Sequence, residues 1–369
     1  MRASELTAGP LFPDDGPLGA RIVRRVRGIG LEVLAFALTT VLFPVLLVGA
    51  VVVDLVLWLR TRKPWVAVRL VAMAWWFLLG EMYAMFSMLG IWLLTGGPFG
   101  VGSMRRRRML YRLRGRWAAS HLGGIRVLFG LKFNVDGLEH GGPGPVIIMI
   151  RHASIIDNMV PDALIAREHG LGLRYVIKRE LQMIPTIDIG GRWVPTNFVR
   201  RVSDDSAGEI SKLRTLATDM GDDEGILIYP EGTRATKAKL ARAKELIAER
   251  QPEIAPLANQ LNHLLPPRLG GPLALLDEGA GTDVVICGHT GFDGFQHVSD
   301  IWAGGLVGTT INVRLRRYPA SEVPAGEDDR TAWLYERWLE LDAWVGEHLE
   351  GGAAVDAPAA QREASSQRA

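Results

Sequence analysis

Val146-Ile147-Ile148-Met149-Ile150-Arg151-His152-Ala153-Ser154-Ile155-Ile156-Asp157 decides how this chain is read. Its first five residues form a short apolar run, the pattern of a strand buried on both faces. The run stops at Arg151, so His152 stands where the strand ends, and Asp157 follows five positions later. Inside a regular helix that spacing would set the two side chains about 140° apart, since each residue turns about 100°. They can meet only if His152 lies on the turn before a helix and Asp157 in its first turns. Asp157 would then hold one ring nitrogen as a donor, leaving the other free to take a proton from a hydroxyl. A buried carboxylate also stabilises the imidazolium that results. Taken alone, a His and an Asp at this spacing are a common coincidence.

A second apolar run, Gly225 to Tyr229, ends in Pro230-Glu231-Gly232-Thr233-Arg234. Gly232 lets the backbone approach a ligand closely. Arg234 offers a planar fork suited to bidentate phosphate binding, against the plainer reading of a surface salt bridge. Glu231 could orient that arginine or bind a substrate hydroxyl. Further strands are read at Phe133–Val135, Arg174–Ile177, Val284–Cys287 and Ile311–Arg317, alternating with helical stretches. That alternation predicts an α/β fold, a mixed sheet flanked by helices. In the last strand Ile311, Val313 and Leu315 alternate with Asn312, Arg314 and Arg316, which reads as a half-exposed edge. A later helix carries Leu334, Trp338, Leu341, Val345 and Leu349 on one face and is expected to pack on the core. The tail from Gly351, rich in Ala, Gln, Ser and Arg, reads as disordered.

Before residue 100 the composition changes. The chain is 48% hydrophobic overall, and the excess is concentrated here. Val33 to Val53 carries no charge and is long enough to cross a hydrocarbon core of about 30 Å as a helix, with Pro44 expected to kink it. Leu70 to Leu94 is equally apolar apart from Glu81, with Trp75, Trp76 and Trp92 as interfacial anchors. The link Arg60 to Pro64 is short, so the two helices should be antiparallel neighbours. Glu81 is expected to face a neighbouring helix, water or a basic partner such as Arg69. Arg21, Arg24, Arg25 and Arg27 precede the first segment; Arg105 to Arg108, Arg112, Arg114 and Arg116 follow the second. Basic side chains beside apolar spans favour anionic headgroups by roughly 1 kcal/mol each. From Met104 to about Leu122 the stretch reads as a basic amphipathic helix on the membrane surface or as a solvated linker. The excess of charge outside the hairpin favours both ends in the cytoplasm, although Arg60, Arg62 and Lys63 in the link weaken it. A hairpin dipping into one leaflet is the alternative.

Other classes fit less well. The net charge is +2, and its arginines lie beside apolar spans rather than on a nucleic-acid face, so no nucleic-acid partner is expected. The single cysteine, Cys287, excludes an intrachain disulfide and reads as a small buried residue. His263 and His289 show no ligand spacing, so no metal site is expected. Ser154 reads as a helix cap rather than a nucleophile, and Gly270-Gly271 as a turn.

With these residues in place the chain resembles the lysophospholipid acyltransferase family, which includes the 1-acylglycerol-3-phosphate acyltransferases. The likeness covers roughly residues 120 to 348. His152 to Asp157 matches the first block, and Lys178-Arg179-Glu180-Leu181 with Pro185, Gly190 and Arg200 the second and third. Tyr229 to Arg234 matches the acidic-Gly-Thr-Arg block. Thr236-Lys237, His263-Leu264-Leu265-Pro266-Pro267-Arg268 and Arg316-Arg317-Tyr318-Pro319 resemble the branch containing lysocardiolipin acyltransferases. Two places depart from the pattern: Arg151, where the family often has Asn, and Ile286-Cys287-Gly288-His289, which replaces an apolar-Pro block.

The resemblance implies the glycerolipid acyltransferase fold and a membrane-bound enzyme needing no cofactor. An acyl-CoA or acyl carrier protein would be the thioester donor and a lysophospholipid the acceptor. His152 would be the base and Asp157 its partner. Arg234, with Glu231, Gly232 and Thr233, would bind the acceptor's glycerol phosphate. Lys178 and Arg200 would serve the acceptor phosphate or the donor's phosphates, and Arg268 is a weaker candidate. The expected organisation is a basic segment (1–27), a membrane hairpin (28–97), a basic amphipathic linker (98–120), an acyltransferase domain with a C-terminal helix (121–350) and a tail (351–369). The expected setting is the cell membrane, with the catalytic domain facing the cytoplasm. Other acceptors (lysocardiolipin, another lysophospholipid, glycerol-3-phosphate) and an inactive lipid-binding scaffold are the alternatives.

Overall fold

The computed structural model describes residues 11–14, 16–199, 206–293, 295 and 298–355. Its N-terminal part is a pair of helices, α1 (Leu18–Thr61) and α2 (Ala67–Leu94). Trp75 Nε1 donates to Thr40 Oγ1 at 3.1 Å, whereas Val66 and Ala67 donate to Asp54. Residue numbers therefore rise along one helix as they fall along the other, and the pair is antiparallel. Both helices are long and apolar enough to cross a membrane. Helix α1 has 44 residues, about 66 Å at the usual rise, and continues through Pro44. That is roughly twice a hydrocarbon core.

The surplus length of α1 is its charged beginning, and it docks on the rest of the protein. Arg24 Nη2 reaches Asp188 Oδ1 at 2.9 Å, and Arg25 Nε reaches Asp188 Oδ2 at 3.0 Å. Asp188, on the short helix Pro185–Gly190, is fully buried. A carboxylate in that position needs both partners to offset its lost hydration. Two of the arginines read as lipid-facing thus fasten α1 to the α/β domain.

The link between α1 and α2 is built around Asp54. Its Oδ1 accepts the N–H groups of Val66 (3.0 Å) and Ala67 (2.9 Å), and its Oδ2 that of Val68 (2.9 Å). The first amides of a helix have no partner within it. Here a carboxylate one helix away supplies the acceptors. Glu81 is buried and accepts the Thr186 hydroxyl at 2.6 Å. Arg69, the partner expected for it, donates instead to Leu128 O at 2.6 Å.

Helix α3 (Met104–Phe129) starts from Ser103, whose hydroxyl accepts the Arg106 N–H. It is no surface float. Leu110, Leu113, Leu122, Ile125 and Phe129 are buried, and so are Arg106 and Arg107. Arg106 Nε donates to Thr95 Oγ1 at 2.8 Å, so this arginine ties α3 to the end of α2 instead of facing headgroups.

Among the described residues, seven strands form one sheet in the order β1-β7-β6-β2-β5-β3-β4. They are β1 Lys132–Asp136, β2 Val146–Ile150, β3 Gly172–Lys178, β4 Thr196–Val199, β5 Glu224–Ile228, β6 Asp283–Thr290 and β7 Thr310–Tyr318. All neighbours are parallel except β6 and β7. Every residue of β2 and β5 is buried, as the apolar runs Val146–Ile150 and Gly225–Ile228 require, with Glu224 at the start of β5 paired to Arg174. Alternate residues feed two cores. Val146, Ile148 and Ile150 pack with Leu110 and Phe129 of α3. Ile147 and Met149 pack on the other face with Leu334, Trp338, Leu341 and Val345 of the last helix, Glu327–Val355. Burial of each such aliphatic side chain contributes roughly 1.5–3 kcal/mol.

Three expectations change. Strand β7 is not an edge, because β1 pairs beyond it. Its alternation reports one open face of an interior strand: Ile311, Val313 and Leu315 are buried while Asn312, Arg314 and Arg316 are not. The edge on the other side is β4, too short and polar to stand out in the sequence. The last helix runs on to Val355, past Gly351, where the tail was expected to begin; residues 356–369 lie outside the described residues.

Candidate active site

The parallel strands β2, β5, β3 and β4 all end at the same side of the sheet, and the residues singled out above follow those ends. After β2 the chain makes a tight turn organised by Asp157. Oδ2 of Asp157 accepts the backbone N–H groups of Ala153 and Ser154, both at 2.7 Å. Both of its oxygens lie 3.2 Å from His152 Nδ1. Asp157 is fully buried, whereas the His152 side chain keeps 12% of its exposure. An acceptor-only carboxylate facing Nδ1 selects the tautomer with its proton there, which leaves Nε2 as the basic nitrogen. Asp157 opens a single 3-10 turn, Asp157–Met159, followed by a wide helical turn at Pro161–Ala166. The pair thus meets across a strand-to-helix turn, the one geometry the spacing permits.

Ser154 does not cap a helix. Its hydroxyl donates to Phe295 O at 2.9 Å and accepts the Ile156 N–H at 3.2 Å, bracing the turn from within.

Glu231 joins the two loops. Its Oε1 accepts the His152 N–H at 2.8 Å and its Oε2 the Leu265 N–H at 3.2 Å. Ala235 N–H closes the loop onto His152 O at 3.0 Å. Burial pushes the Glu231 carboxyl up to about 7, against the lowering effect of the two amides and of Arg151. Both oxygens are thus engaged by backbone, and the residue staples the two loops together.

Gly232 has φ +65°, in the left-handed region, and a Cβ there would lie 2.9 Å from Arg268 Cδ. The backbone conformation calls for glycine, while the contact needs only the flexible Arg268 side chain to move. Arg268 lies across the loop, and its N–H donates to Pro230 O at 2.9 Å. The Thr233 hydroxyl accepts from Lys239 Nζ at 3.1 Å, and the same ammonium donates to Arg234 O at 2.9 Å. Arg234 is half-buried next to them. Lys178 closes β3, separated from β2 by β5. Arg200 lies outside the described residues.

The two places where the chain departs from the family pattern touch each other. Arg151 donates through Nη1 to His289 O, and His289 Nε2 stands 3.0 Å from Arg151 O. Arg151 also pairs with Asp293, so it is a structural cation. His289 Nε2 lies 3.6 Å from Asp157 Oδ2. Burial lowers the pKa of this imidazole, which favours its neutral form. In the sequence His289 is weighed only as a metal ligand, and no linear signal couples it to Asp157. The pairing of Ile150 with Cys287 is what brings them together. Cys287 is buried and its thiol is pushed up to about 12, which keeps it inert.

Comparison with known proteins assigns the class. The acyltransferase family model matches residues 132–258, the segment carrying both loops. The acyltransferase C-terminus model matches 305–367. The chain is 31% identical to the mouse 1-acyl-sn-glycerol-3-phosphate acyltransferase gamma, over 56% of this chain and 54% of that one. It is 23% identical to chicken lysocardiolipin acyltransferase 1, over 66% of this chain and 65% of that one. An uncharacterized acyltransferase of Schizosaccharomyces pombe is 24% identical, over 51% of this chain and 54% of its own length. The chain therefore spans about half to two thirds of these relatives. A solved 1-acyl-sn-glycerophosphate acyltransferase from Thermotoga maritima is similar with a TM-score of 0.43 at 16% identity, covering 73% of this chain and 95% of that one. Residues 132–258 thus match the acyltransferase family and 305–367 its C-terminal extension, and the chain is similar to lysophospholipid acyltransferases.

Proposed function

We propose that the protein transfers a fatty acyl group from acyl-CoA or acyl carrier protein to the free hydroxyl of 1-acyl-sn-glycerol-3-phosphate, giving phosphatidic acid. The observation that carries the reading is His152 Nδ1 held 3.2 Å from both oxygens of a fully buried Asp157. That arrangement leaves Nε2 to remove the acceptor's hydroxyl proton as its oxygen attacks the thioester carbonyl. The tetrahedral adduct then collapses, the carbon–sulfur bond breaks, and the imidazolium returns the proton to the leaving thiolate. No acyl-enzyme is involved. In this reading Arg234 grips the acceptor phosphate, with Gly232 and Thr233 shaping the loop and Arg268, Lys178 and Arg200 adding positive charge. Phosphate binding presents the hydroxyl within about 3 to 3.5 Å of the carbonyl carbon.

The two apolar helices support a membrane setting, with acceptor and product held in the bilayer. The surface they leave exposed is apolar, including Val41, Val45, Phe86 and Leu93, and it needs lipid or protein cover. The proposed location is the cell membrane with the α/β domain in the cytoplasm.

The test offers purified full-length protein a panel of lysolipids with acyl-CoA and identifies products by mass spectrometry. Phosphatidic acid as the main product supports the proposal. Preferential acylation of lysocardiolipin or lysophosphatidylinositol would move the acceptor to those lipids. No acylation of any acceptor, with acyl carrier protein also tried as donor, would leave a lipid-binding scaffold.

A further inference from the structure

We infer that His289 is a positioning residue for the His152–Asp157 pair, its imidazole packed beside the Asp157 carboxylate and tied to the backbone of Arg151, the residue preceding His152. The inference rests on the proposed role of His152 as base, and it concerns a residue that the family resemblance does not supply.

The geometry around Asp157 is crowded on purpose. His152 Nδ1 is 3.2 Å from both its oxygens, and the Ala153 and Ser154 amides approach Oδ2 at 2.7 Å. His289 Nε2 lies 3.6 Å from that same Oδ2 and 3.0 Å from Arg151 O. A carbonyl oxygen can only accept, so Nε2 carries the proton and donates it to Arg151 O, with the Asp157 carboxylate beside it at 3.6 Å. Nδ1 of His289 is then a bare acceptor, and it is buried without a hydrogen-bond partner. The Phe292 ring packs edge-on against this imidazole, with centroids 5.5 Å apart.

The imidazole is also clamped. Arg151 donates to the His289 carbonyl while His289 donates to the Arg151 carbonyl, and Asp293 holds the guanidinium. This double bond between β6 and the residue preceding His152 fixes where the turn begins. Arg151 and His289 are the two places where the chain departs from the family pattern, and each accounts for the other.

The electrostatic consequence has a definite sign. The positive end of the Nε2–H dipole lies beside the Asp157 carboxylate, with Nε2 3.6 Å from Oδ2. Its removal makes the pair more basic, so His152 should bind its proton more tightly. The other charged or titratable groups facing this site are Tyr229 and Glu231 from the β5 end, Asp162 after the turn, Cys287 on β6, and the Arg151–Asp293 pair.

The experiment compares His289→Leu, His289→Gln and His289→Asn with the unchanged protein, all full-length. The Gln amide nitrogen reaches where Nε2 stands; the shorter Asn amide does not. Two readouts are taken: kcat and KM against pH, and the pH dependence of carbethoxylation of His152 followed by mass spectrometry, which needs no turnover. The expected result is a fall in kcat of about tenfold or more for the Leu and Asn variants with acceptor KM nearly unchanged. Their acid limb and His152 carbethoxylation should shift to higher pH, and His289→Gln should restore both. If the Leu variant fails to fold, Gln against Asn makes the same comparison with polar side chains at the site. Equal kcat and equal His152 titration in all variants would overturn the inference. So would equal losses in Gln and Asn with no shift of the His152 titration, which is what a purely structural role gives. An active parent in which His152→Ala is harmless would overturn the reading of the base instead.

Discussion

Glu231 and His152, 79 positions apart in the chain, are joined by a 2.8 Å hydrogen bond from the backbone amide of the histidine to the carboxylate. The same carboxylate takes the Leu265 amide at 3.2 Å. Glu231→Ala would leave two amides without a partner at a buried site, each costing about 1–3 kcal/mol. The expected outcome is a clearly lower thermal midpoint together with a loss of kcat, read by unfolding in detergent and by acyl transfer. An unchanged midpoint would show that the carboxylate does not hold the loops together.

Glu231 also predicts a pH dependence. Its folded carboxyl is pushed up to about 7, above the ordinary 4.5, mainly by burial. A raised value means that the stabilising contribution is fully present below about 4.5 and is lost as pH climbs through about 7. The change amounts to roughly 3 kcal/mol over that window. Glu231→Gln cannot ionise, so its stability should decline less than that of the parent between pH 5 and 8. Parallel denaturant titrations at several pH values make the comparison, and matching slopes would refute it.

His152→Ala should lower kcat by about 10²- to 10⁴-fold, the usual contribution of a general base. Asp157→Asn should lose comparable activity and also stability, because an amide NH₂ cannot accept the bonds of Ala153 and Ser154 as well as that of His152. Steady-state kinetics and melting curves separate the two variants. A fully active His152→Ala would end the base assignment.

Gly232→Ala places a side chain where φ is +65° and where Arg268 Cδ would be 2.9 Å away. The left-handed conformation alone costs about 1–2 kcal/mol. Acceptor KM should rise, since the loop and Arg268 must both shift. Adding Arg268→Ala removes the clash but not the strain, so the double variant should recover only the steric share of the lost stability. Arg234→Lys, which keeps charge but loses the fork, should raise acceptor KM about tenfold or more with little change in kcat.

Asp54→Ala removes the acceptor for three amides at the start of α2. Helix caps are worth about 0.5–2 kcal/mol, and this one is buried. The link should become protease-sensitive, detectable by limited proteolysis in detergent, while His152 chemistry is retained. Resistance equal to the parent would mean that the helices hold their register without it.

Much of the site was legible before any coordinates. The apolar runs of β2 and β5 marked strands because both faces are buried, and each run stopped where a functional loop begins. Glycine at position 232 read as a place where backbone approaches a ligand closely, and its left-handed φ of +65° emerged only in the structure. Asp54 gave no such signal, because the amides it accepts lie on the next helix and a lone acid after an apolar segment suggests only the end of a span. Arg24, Arg25 and Arg106 misled for a related reason: composition counts their charge, but the partners Asp188, Asp14 and Thr95 are chosen by packing.

The sequence by itself determined that an apolar hairpin precedes an α/β domain, and that a histidine and an acid share a strand-ending turn. Those features rest on local periodicity and spacing, which a linear chain carries. Only the tertiary structure decided that β7 lies inside the sheet, that Glu231 spends both oxygens on backbone amides, and that His289 stands behind Asp157. Each of these depends on strand order and register, which are set by contacts between segments more than a hundred positions apart or by side-chain pairings that no local pattern encodes.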